Sequence, residues 1–184
     1  MKTSEARHDR VTILLHWLTA GLVAVLWLVG TFLEDLLAKG PLRSGIWSAH
    51  VDAGFVLTGI MVSAMIWRST RGLSLPPESA GALRALAKST HAALALLLVV
   101  VITLGIANAL VRGFTLAGPI KLPQLGNIDW RRPLTRWHGW AAHVLMAVAL
   151  FHATAALVHH YLWKDDVLRR MLPRSKEQRL TGRP

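Results

Sequence analysis

Nine histidines and no cysteine make imidazole the characteristic metal donor of this 184-residue chain. Disulfides, thiolate-held iron–sulfur clusters and covalently tethered haem are thereby excluded. All but His8 stand in or at the ends of apolar runs: His16 in "LLHWLTAG", His50 in "SAHVDAGF", His91 in "STHAALAL", His138 and His143 in "RWHGWAAH", and His152, His159 and His160 in "FHATAALVHHYLW". Ionisable side chains in such surroundings are costly and are functional by default. Two imidazoles from facing helices, with no carboxylate or thiolate beside them, suit the axial positions of a b-type haem iron. Structural zinc wants four close ligands, and only two are expected in each layer.

The elements that must position these rings are membrane helices. With 53% hydrophobic residues, eight Trp to one Tyr and a mean hydropathy of +0.40, the bilayer is the expected solvent. Apolar runs over about residues 11–33, 49–67, 90–111 and 137–163 each approach the ~20 residues that cross a hydrocarbon core. The expected fold is an all-α, integral membrane four-helix bundle, one domain over residues 1–184, with two b-type haems between the helices. No small-residue cleavage site follows the first run, which is also longer than a signal-peptide core and is expected to remain as a helix. The stretch "RGLSLPPESAGALRALAKS" carries a Pro-Pro turn followed by helical spacing of Leu83 and Leu86. The loop "RGFTLAGPIKLPQLGNIDWRRPLTR" is long enough to be functional or a cover.

The net charge of +11 is distributed by topology rather than gathered on one nucleic-acid-binding face. With the termini inside, the N-terminal arm, the connection between the second and third runs and the tail 164–184 carry 14 of the 21 Lys and Arg residues, against seven in the two other loops. The positive-inside rule therefore predicts both termini in the cytoplasm of a multi-pass inner-membrane protein. Depth follows: His50 and His138 lie in an outer layer, and His16 and His152 in an inner one. The 14 residues from His138 to His152 put both rings on nearly the same helix face, ~21 Å apart. Depth alone also admits His159 as the partner of His16. Gly54, Gly139, Ala142, Ala20, Ala155 and Ala156 supply small side chains near the rings, as they would for ordinary helix packing. His8 and His143 read as surface or packing residues.

These five motifs, with the exit "HHYLWKDDVLRRMLP", resemble the bacterial cytochrome b561 family, and in particular its superoxide oxidase members, over nearly the whole chain. The resemblance implies His16 and His152 on an inner haem iron, His50 and His138 on an outer one, and a ubiquinone site at His91, His159 and Trp163. Quinone reduction takes two electrons and two protons, which titratable groups near the inner surface can supply. The competing reading of His159, His160, Tyr161 and Trp163 is an interfacial belt.

Seven Lys or Arg against four acids (Glu34, Asp35, Asp52, Asp129) leave the outer face at +3. Arg131, Arg132 and Arg136, just before His138, are candidates to steer superoxide toward the outer haem. Pairing with haem propionates, or with Asp52 and Asp129, competes for the same residues. The expected activity is a superoxide:ubiquinone oxidoreductase. Its rival is an electron-transfer subunit that relays electrons between a dehydrogenase or hydrogenase partner and the quinone pool; a haem-free transporter with histidine proton relays is more remote.

Overall fold

The computed structural model describes residues 7–72, 81–116 and 120–173. Four long helices dominate: α1 (Arg10–Leu36), α2 (Pro41–Thr70), α3 (Gly81–Arg112) and α4 (Arg131–Val158). All four are long and apolar enough to cross a membrane. Their outward residues are apolar, with Leu96 65% and Leu150 60% exposed, while no polar or charged side chain among the described residues is fully buried. That inversion of a soluble protein's surface identifies a membrane four-helix bundle.

The helices form two hairpins. α1 packs along α2 and α3 along α4, whereas the hairpins touch one another much less. Leu57 of α2, Ala109 of α3 and Leu145 of α4 are among the most buried side chains.

Local chemistry sets the helix ends. Asp9 caps α1, accepting from the Thr12 N–H at 2.9 Å and the Thr12 hydroxyl at 2.6 Å. Pro41 opens α2 at a position where a missing N–H costs nothing. Gly113 ends α3 in the left-handed region, at φ +62°, and the Phe114 N–H returns to the Ala109 carbonyl at 3.1 Å.

Helices extend beyond the apolar runs, because hydropathy marks the hydrocarbon thickness and not the limits of helical backbone. α2 begins at Pro41 rather than near 49, so His50 lies more than two turns inside it; α3 begins at Gly81 and α4 at Arg131. The long loop before α4 contains a two-stranded hairpin, β1 (Thr115–Leu116) and β2 (Ile120–Lys121), with Thr115 opposite Lys121, then a short 3-10 turn, Ile128–Trp130. The expected Pro-Pro turn at residues 76 and 77 and the tail beyond 173 lie outside the described residues.

At the end of the bundle that carries both termini, α4 widens into a single π turn, His159–Trp163. Residues 169–172 then fold back over the start of α1. The His8 N–H donates to the Arg170 carbonyl at 3.2 Å, Trp17 Nε1 to the Met171 carbonyl at 2.8 Å, and Trp67 Nε1 of α2 to Asp9 Oδ1 at 2.9 Å.

Candidate functional site

The structure brings four of the singled-out histidines together as two pairs. The rings of His50 (α2) and His138 (α4) face each other with centroids 6.3 Å apart, and those of His16 (α1) and His152 (α4) at 6.4 Å. Each pair spans the sparse contact between the two hairpins. Two imidazole nitrogens, each about 2 Å from a shared metal ion, put ring centroids roughly 6 Å apart, so both separations fit axial ligation of one iron between the rings. No group of three or more His, Cys, Asp or Glu side chains suited to a metal ion exists among the described residues. The donor set therefore matches haem, whose macrocycle supplies the remaining ligands, and not a bare structural ion.

Hydrogen bonding selects the ligating nitrogen. His138 Nδ1 stands 2.9 Å from the Val101 carbonyl of α3, so Nδ1–H donates there and Nε2 is left to bind metal. That carbonyl is reachable because Gly105 stands four residues on. A Cβ at Gly105 would come within 3.1 Å of His138 Cε1 and 3.4 Å of Nδ1. Gly30 of α1 backs the opposite ring, where an added Cβ would come within 3.5 Å of His50 Cε1. His50 Nδ1 is itself buried with no hydrogen-bond partner. An orphaned ring nitrogen beside a facing imidazole is a second feature that suits a ligand. Open space stands beside Gly54 and Gly139, the glycines expected from the sequence to give the rings room, since added Cβ atoms there meet nothing within 4 Å.

At the terminal end, His91 of α3 packs edge-on against His152 with centroids 5.1 Å apart. This is too close for a shared iron on the centroid argument above and suits direct ring contact, which leaves His16 as the ring at ligating separation from His152. His159 opens the π turn. Its Nδ1 is hydrogen-bonded to Asp165 Oδ2, and its ring meets Trp163 in a T-shaped contact at 4.4 Å. Asp165 is a partner of His159 that sequence reasoning missed, although it stands in the quoted exit motif. It reaches back because Lys164 adopts the left-handed region, φ 55°, and the Asp165 N–H bonds the His159 carbonyl at 3.2 Å. His160 turns instead to Tyr161, with ring centroids 4.8 Å apart. His143 donates Nδ1–H to the Gly139 carbonyl at 2.6 Å and packs on Trp27, a structural role.

At the far end, a cleft of about 440 Å³ is lined by Ser48, Arg112, Phe114, Thr115, Ile128 and Arg131. Arg112 Nε donates to Asn108 Oδ1 at 3.0 Å and one terminal nitrogen to Thr135 Oγ1 at 2.9 Å, tying α3 to α4. All three candidate steering arginines are exposed, but only Arg131 lines this cleft.

A family model described as prokaryotic cytochrome b561 matches residues 7–174. Among curated relatives, cytochrome b561 homolog 2 of Escherichia coli K12 is 28% identical over 180 residues, covering 92% of this chain and 93% of that one. The probable superoxide oxidase CybB of Yersinia pestis is 27% identical over 176 residues, with 92% and 98% coverage. Cytochrome b562 of Cereibacter sphaeroides is 29% identical over 177 residues, with the same two coverages.

Proposed function

The chain belongs to the prokaryotic cytochrome b561 family, a family of b-type haem proteins in membrane electron transfer, and from that premise we propose that it is a superoxide:ubiquinone oxidoreductase. In this reading two haem b groups are held, one by His50 and His138 and one by His16 and His152. The single observation that carries it is the pair of facing-ring separations, 6.3 and 6.4 Å, at the two ends of one helix. The narrower activity is supported by likeness to the probable superoxide oxidase of Yersinia pestis over nearly the full length of both chains.

The bound haems would supply two one-electron redox centres. The protein does the rest. His138, oriented by the Val101 carbonyl, presents Nε2 to its metal with a fixed tautomer. Arg131, Arg132 and Arg136 raise the local concentration of superoxide at the far end, which the charge distribution makes the periplasmic side, both termini being cytoplasmic. Two superoxide ions give up one electron each and leave as two molecules of oxygen. One ubiquinone gains those two electrons and takes two protons from the terminal side. His91, His159 and Trp163 form the quinone site, where Asp165 keeps a proton on His159 Nδ1 and so presents Nε2.

The test is autonomous turnover. Detergent-purified protein with superoxide as sole donor should reduce a soluble ubiquinone and release oxygen, in a 1:2 ratio of quinol to oxygen. Haems that superoxide leaves oxidised, but that a dehydrogenase or hydrogenase reduces, would establish the relay role instead.

A further inference from the structure

The far-end cleft is larger than a diatomic anion requires and opens broadly to the surface. Its two cations are placed with reference to the His138 ring. Arg131 precedes His138 by seven residues and Arg112 follows Gly105 by seven. Seven residues are two turns, about 10 Å along the axis and about 20° out of phase. Both arginines therefore stand on the helix faces that carry the ring and the glycine behind it, one step nearer the far loops. Arg132 and Arg136, six and two residues before His138, fall roughly 120° and 160° away from that face.

Arg112 is also pre-positioned. Its anchors, Asn108 Oδ1 and Thr135 Oγ1, are neutral, so its charge remains available to an anion. Ser48 and Thr115 add hydroxyls and Phe114 and Ile128 add apolar wall. Arginine forks, hydroxyls and an apolar rim together describe the edge of an amphipathic carboxylate.

We propose that this cleft is a carboxylate site, and that the carboxylates it takes are the propionates of the haem held by His50 and His138. The inference rests on the two-haem reading above. Under it the basic residues before His138 divide by helix face: Arg131, with Arg112, anchors the cofactor's edge besides adding to the basic field that draws superoxide, and Arg132 and Arg136 act on free superoxide alone. Paired cations favour the reduced, more negative iron centre, so removing one shifts the couple toward oxidation.

Redox potentiometry of the detergent-purified holoprotein decides the matter. R112Q and R131Q are each expected to keep both haems and to move one couple about tenfold toward the oxidised form, about 59 mV for a one-electron step. That couple should be the one missing in H138A. The inner couple should not move, nor should either couple in K121Q, which removes a cation of the same end outside the cleft. Couples unmoved in both arginine variants, with a slower and less salt-sensitive reaction with superoxide, would overturn the proposal in favour of free-anion binding. If R112Q loses the haem outright, R112K arbitrates: recovery of the haem supports carboxylate pairing, and failure to recover it overturns it. A wild-type protein with fewer than two haems sinks the two-haem reading itself, and is seen before any variant is made.

Discussion

Gly105 decides how closely the His138 ring can approach α3. Its missing side chain opens the Val101 carbonyl to Nδ1, and a single added carbon would press on the ring at 3.1 Å. Gly105→Ala should therefore twist His138 away from its orienting partner and weaken haem binding at that pair about 10- to 100-fold, the usual effect of losing an outer-shell hydrogen bond. Haem retained per chain after dilution into haem-free detergent measures this; Gly59→Ala, where an added carbon meets nothing within 4 Å, should retain both haems. The four facing histidines were conspicuous in the sequence because they stand inside apolar runs, although depth alone left His16 open to either His152 or His159. The glycines were not, since small residues recur wherever membrane helices pack, and only a third helix's position distinguishes Gly105 from Gly54 or Gly139.

The end of α4 shows what an element adds beyond its residues. The π turn lets one carbonyl, that of His159, accept from both Lys164 and Asp165, and the left-handed Lys164 swings the following carboxylate onto the ring it has just passed. Asp165→Asn should leave both haem spectra intact and lower the rate of ubiquinone reduction about 10- to 100-fold, because an amide can donate as well as accept and no longer holds the proton on His159 Nδ1. Loss of a haem in that variant would instead make His159 an iron ligand. The four helices were readable from apolar runs. The π turn was not, because "HHYLWKD" continues the same apolar pattern and the change of hydrogen-bond register depends on where residues 164–172 dock.

Taken whole, the molecule is two helical hairpins that pack well internally and little against each other, with both imidazole pairs placed across the seam. Haem ligated at those pairs would tie α1 and α2 to α4. Protein produced under haem limitation should insert normally yet unfold at lower temperature. A ligand at a thousandfold over its Kd adds about 4 kcal/mol to stability, and that much should be missing. Thermal unfolding in detergent with and without added haem tests it, and equal melting temperatures would show that the seam holds without the cofactor. The terminal end is also joined in another way, by residues 7 and 8 meeting residues 172 and 170. The start of the first helix is thus completed by a segment that follows it by 154 residues, from Trp17 to Met171. Until that segment emerges the start of α1 lacks its cover, so a truncation, protease cut or fused tag near residue 170 acts on a helix far upstream of it.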